Sequence, residues 1–294
     1  MLSLLLALAL APGPDRMVSG TGLRLREAPE ASADVVDRAP LGARLSCLEE
    51  SKPVTVGTTT APFCKTLTPK GPAWYFTPLT EPMAADAAAQ RAHIAERAAT
   101  ALGEPAAFAK ERWPDVYEVH ALLKSLPGLS AKIAEARFVA GFANAFAGDA
   151  RVEQDYAQGA RLRNDVFEQL LAEAKGKPEH EAAAWALYQH GWGGECEGEP
   201  SCVLSRLHGT SCRYLEAFAA GEHAVAAVSD ITETANQLRE LLVQFPIGDD
   251  ADAKAVRTGA LEQLARVRQC TRAARAGDRA KAGAALDALE KALR

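Results

Sequence analysis

Six cysteines, six histidines and a surplus of carboxylates are the residues of this chain that could do chemistry. Cys47, Cys64, Cys196, Cys202, Cys212 and Cys270 are even in number and lack the closely spaced Cys-x-x-Cys or Cys/His clusters of a zinc site, so they read as three disulfides. Six cysteines allow many connectivities. The division of the chain into a β-type and a helical part favours Cys47–Cys64, and the tight segment 197–201 favours Cys196–Cys202, with Cys212–Cys270 as the remaining pair. Glu179-His180-Glu181 and His190 lack the helical spacing that puts two imidazoles on one face, and no metal is expected. His93, His120, His208 and His223 stand alone in sequence, without a serine or cysteine partner in a nucleophile motif. Gly209-Thr210-Ser211-Cys212 lacks the second glycine of a nucleophile elbow. No single carboxylate stands out as the acid or base of a hydrolase, and no phosphate-cradling glycine motif is present, so no cofactor and no catalytic residue are assigned.

Aromatic residues carry the binding expectation. Trp185, Tyr188 and Trp192 recur along one helical stripe that runs into the glycine-rich cysteine loop. Such a stripe serves either as core or as the wall of a groove. Trp74 and Tyr75 are a second candidate pair, at the end of the β-type region. Phe138, Phe142 and Phe146 repeat every four residues and read as core.

The elements that position these residues divide near residue 80. Residues 1–16 read as a leader: Met1 to Ala11 is almost wholly apolar but shorter than the ~20 residues of a membrane span, and Ala9-Leu10-Ala11 has the form of a cleavage site. A buried N-terminal element, or a start site upstream of the true one at Met17, is the competing reading. Residues 17–80 hold short β-branched runs and turns, including Leu23-Arg24-Leu25-Arg26, Val35-Val36, Arg44–Leu48, Val54–Val56 and Trp74–Phe76. Residues 81–294 are Ala-, Glu- and Arg-rich with helical periodicity, with helices expected at 83–102, 104–112, 115–125, 130–147, 149–175, 179–191, 201–208, 210–219, 222–244, 250–275 and 277–293. The fold class is therefore α+β. Net charge is −5, and interleaved basic residues exclude nucleic acid as a main partner.

Leu23, Leu25, Arg26, Pro29, Val36, Leu41, Gly42 and Leu45 within 20–45 resemble the opening of a bacterial SH3-like (SH3b) domain, and Trp74-Tyr75-Phe76 resembles its last strand. Its first Trp strand is replaced by Phe63-Cys64-Lys65-Thr66, after a loop at about 49–62. The resemblance implies a small N-terminal β-barrel and binding to a cell-wall component or a protein. Phe218–Ala226 echoes Phe245–Ala253 at a fixed offset, and both resemble helix junctions of tetratricopeptide-like repeats, an irregular helical-hairpin stack. A compact bundle is the alternative. Together these readings describe an exported, non-catalytic recognition or scaffolding protein of the bacterial periplasm or cell envelope with a protein or peptidoglycan partner. A peptidoglycan-binding accessory factor and a wall hydrolase are the alternatives.

Overall fold

The computed structural model describes residues 13–103, 110–156 and 159–294. The apolar leader up to Ala11 lies outside them. The chain forms two compact units that divide between Ala145 and Phe146. The first unit thus takes in three α-helices that follow the composition change near residue 80.

The first unit is built on open sheets. Strand β1 (Gly13–Val18) lies between β10 (Thr80–Pro82) and β4 (Arg44–Cys47), so residues 13–16, expected in the leader, are part of a sheet. A five-stranded sheet has the order β3 (Val35–Ala39), β2 (Leu23–Arg26), β9 (Gly71–Phe76), β8 (Phe63–Thr68) and β5 (Glu49–Glu50). The hairpin of β6 (Val54–Val56) and β7 (Thr59–Ala61) fills much of the loop expected at 49–62, and Gly57 supplies the positive φ of 59° that its two-residue turn needs. The expected barrel is corrected: among the described residues the strands leave edges at β3 and β5, and β5, only two residues long, is too short to carry closure. Alternation works as expected in β2, where Leu23 and Leu25 are buried and Arg24 is exposed. Both sheets contribute to one core of Val18, Leu23, Leu25, Ala39, Cys47, Cys64, Ala73 and Tyr75.

Helices α1 (Ala87–Leu102), α2 (Trp113–Ser125) and α3 (Leu129–Gly141) complete the unit. Pro114 sits in the first turn of α2, where its missing N–H has no intrahelical partner to lose. Most of the helix expected at 104–112 lies outside the described residues. One carboxylate joins α2 to the strands: Glu118 accepts from Gly22 N at 2.8 Å and from Leu41 N at 2.7 Å. Glu118→Gln turns one acceptor into a donor facing an N–H. It should lower stability by about 1–2 kcal/mol in urea unfolding, with Glu118→Asp intermediate.

The second unit begins with a correction. Residues 149–163, expected to start a long helix, form an antiparallel hairpin of β11 (Val152–Asp155) and β12 (Gly159–Leu162). Asp149 turns the chain by accepting from Arg151 N with its side chain and from Val152 N with its carbonyl, both at 2.9 Å, and Gly159 takes a positive φ of 76°. Helix starts only at α4 (Asn164–Ala174), followed by α5 (His180–His190), α6 (Pro200–Leu207), a π-helical turn at His208–Cys212 and α7 (Arg213–Phe218). Three longer helices follow: α8 (Ala224–Gln244), α9 (Ala251–Thr271) and α10 (Ala276–Leu293). Both copies of the sequence echo are helix junctions, α7 to α8 and α8 to α9. Helix α10 packs on both α8 and α9, and α6 packs on α9. Leu204, Leu215, Ile231, Leu264 and Leu286 are fully buried in the core they share. No helix among the described residues is long and apolar enough to cross a membrane.

Candidate functional site

The structure joins Cys47 to Cys64, Cys196 to Cys202 and Cys212 to Cys270. These are the three pairs expected from the sequence. Cys47, Glu50 and Cys64 present ligand-type atoms within 4.8 Å of one another, but both sulfurs are bonded in a disulfide and offer no thiolate to a metal.

The two aromatic candidates fare differently. In β9 the period of two sends Ala73 and Tyr75 inward, so Tyr75 is 0% exposed and cannot share a surface with Trp74. Tyr75 is therefore corrected from a binding residue to core. Its buried hydroxyl has no hydrogen-bond partner among the described residues, and burial pushes its pKa up to about 12. Trp74 is half-buried, with the Lys65 ammonium 5.5 Å from its ring centre.

The helical stripe is split between packing and surface. Trp185 stacks on Tyr188 at 4.4 Å and on His223 at 4.0 Å, and meets Tyr214 edge-on at 5.5 Å. Both Trp185 and Tyr188 pack against the main helical core. Trp192, one turn further on, is 44% exposed. Its indole lies over Gly209, where a methyl group would overlap it.

Beside this stack opens a pocket of about 400 Å³, part of it open to solvent. Leu171, Ala184 and Leu187 supply apolar wall, Tyr188 and Tyr214 aromatic wall, and His180, Thr210 and Arg213 polar rim. One side is the π-helical turn, whose extra residue widens the helix where Gly209 and Thr210 face the cavity. The polar groups are held by neighbours. Tyr214 donates to Glu181 at 2.5 Å and accepts from His223 N at 3.2 Å, while Glu181 also accepts from Glu222 N at 2.7 Å. Ser211 donates to Asp230 at 2.5 Å. Arg213 forms a two-pronged ion pair with Glu168, which raises its pKa above the ordinary value. Burial, then the neighbouring acids, push Tyr188 up to about 12. Burial and the bond to Glu181 push Tyr214 higher still.

Tyr214 and Arg213 were not singled out in the sequence. They lie in a stretch, 210–219, that reads as ordinary helix, and a π-helical turn has no residue signature of its own. Three further histidines are held by neighbours: His180 meets Phe218 edge-on at 4.9 Å, His190 lies tilted against Phe167 at 4.8 Å, and His120 lies 2.7 Å from the Glu135 carboxylate.

No family model matches the chain, and no curated protein or solved structure matches it.

Proposed function

We propose that this chain is a recognition protein of an oxidising bacterial compartment outside the cytoplasm, and that its second unit takes an apolar or aromatic group of its partner into the pocket beside Tyr188 and Tyr214. The observation that carries this reading is the pairing of the pocket's own polar groups. Tyr214 is bonded to Glu181 and Arg213 to Glu168, so these side chains are pre-set in one geometry around an apolar concavity. Such a cavity binds by burying surface at small entropic cost. The three disulfides support the oxidising compartment. In the same proposal, residues 17–80 are an SH3-like module and residues 81–294 a tetratricopeptide-like array, with peptidoglycan or an envelope protein as the partner.

The test is co-sedimentation of the full chain with purified bacterial cell wall, beside the variant Ala217→Trp. Ala217 lines the pocket and is exposed, so an indole there fills the cavity without entering the core. Saturable binding that drops about tenfold or more in the variant supports the wall partner and the pocket together. Binding unchanged in Ala217→Trp removes the pocket from the reading, and no binding by either protein removes the wall.

A further inference from the structure

The three disulfides differ in what solvent can reach. Cys47 and Cys270 are each 3% exposed, and Cys64 and Cys212 are 0% exposed. Cys196 and Cys202 are only partly buried. Thiol–disulfide exchange needs a thiolate to approach a sulfur directly, so the first two pairs react only after their surroundings open, whereas the third lies at partly exposed residues of the folded chain.

The backbone around this pair sets it apart again. Gly191, Gly194 and Gly198 all have positive φ, and Glu197, with φ 47°, is the one non-glycine residue in that region among the described residues. A left-handed conformation at a residue with a Cβ is held by its surroundings. Here they are the disulfide, the bond from Glu199 N to Cys196 O at 2.7 Å, and the cap of α6, where Glu199 accepts from Cys202 N at 2.6 Å. The same loop is tied down by Gly194 N donating to Asp155 at 2.6 Å and by Arg206 donating to Gly193 O at 3.2 Å. It carries Trp192 across Gly209, and Gly209 lines the pocket.

We propose that Cys196–Cys202 is a thiol–disulfide exchange site for a protein dithiol, and that opening it releases the loop that holds Trp192 on the π-helical turn. One thiolate of the dithiol attacks a sulfur of the pair. The S–S bond breaks, a mixed disulfide forms with the attacked cysteine, and the other cysteine leaves as a thiolate that takes up a proton. The second thiol of the dithiol, deprotonated, then displaces the attacked cysteine. Two electrons pass into the pair, and the dithiol ends as a disulfide. The assignment stands on the loop and the disulfide and is independent of which ligand the pocket takes.

The experiment treats the folded full chain with dithiothreitol, quenches with iodoacetamide at intervals, and follows labelling of each cysteine by mass mapping. Tryptophan emission is recorded on the same time course. Cys196 and Cys202 should be labelled about tenfold or more faster than the other four. A tryptophan emission change should follow that phase and be absent in Trp192→Phe. The double variant Cys196→Ser/Cys202→Ser should lose the fast phase. Labelling of Cys47, Cys64, Cys212 or Cys270 at an equal or faster rate would overturn the site, as would a fast phase that survives in the double variant. Fast labelling without the Trp192-dependent change would overturn the release of the loop.

Discussion

Replacing Cys212 and Cys270 together by alanine should lower the unfolding free energy by about 4 kcal/mol. The cysteines are 58 residues apart, and a cross-link that closes so long a loop removes many conformations from the unfolded chain. The same relation gives about 3 kcal/mol for Cys47–Cys64, at a separation of 17, and about 2 kcal/mol for Cys196–Cys202, at a separation of 6. Position adds to the first effect. Cys212 ends the π-helical turn, Cys270 lies at the end of α9, and both are buried in the core with Leu264 and Val267. Urea unfolding followed by circular dichroism at 222 nm checks the prediction. The denaturant slope should not fall, because the freed unfolded chain exposes at least as much surface. A loss below about 1 kcal/mol would mean that native packing, not the cross-link, holds α9 to the π-helical turn.

This ranking bears on the exchange site. The pair that solvent reaches is also the pair whose bond contributes least through chain entropy, so its opening is compatible with a folded second unit. The long-range pair is sealed in the core. Stability and reactivity are thus carried by different disulfides of one chain.

The parts of the fold that were legible in the sequence are those where one local rule decides. Alternation in Leu23–Arg26 marks a strand because one face must be buried. Asp250 before an alanine-rich run marks the start of α9, and its carboxylate does accept from Ala253 N at 2.8 Å. What stayed hidden depends on contacts distant in sequence. Residues 149–163 carry alanine, arginine and glutamine, which read as helix, yet Arg161 is drawn into a buried cluster with His190 and the 191–194 loop, and that contact favours a hairpin. In the same way, Trp74 and Tyr75 are neighbours of similar chemistry in sequence but face opposite ways once β9 is paired on both sides. The pocket was half legible. Of the stripe at Trp185, Tyr188 and Trp192 only Tyr188 lines the pocket, and Tyr214 and Arg213 reach it through the π-helical turn at Gly209, where the sequence reads as a gap between two helices.

The second large effect should come from that buried cluster, and it should depend on pH. Arg161 is 6% exposed and donates to Asn164 at 2.7 Å and to Gly191 O at 3.3 Å. It converges with Asp155 on Gly193, where a methyl group would overlap both side chains. His190 donates from Nε2 to Leu162 O at 2.6 Å, with the Arg161 guanidinium 2.9 Å from the same nitrogen. Burial first, and then the Arg161 charge, lower the His190 pKa from 6.5 to about 4. The imidazole is therefore neutral in the folded chain at a pH where the unfolded chain protonates it. Between these two values the unfolded state binds more protons, so this contribution is fully present above pH 6.5 and is lost as the pH falls toward 4. Allowing for partial exposure, the loss should be about 2 kcal/mol, read as the difference in urea unfolding between pH 7.5 and 4.5. His190→Gln should remove most of that difference. Arg161→Met should lower stability by about 2–3 kcal/mol at pH 7.5, because it strips buried charged donors from Asn164 and Gly191. It should also shrink the acid loss, since the His190 pKa rises toward its ordinary value once the guanidinium is gone. If Arg161→Met kept the full acid loss, burial alone would set the His190 pKa, and the guanidinium would act only as a tie between the hairpin and the cysteine loop.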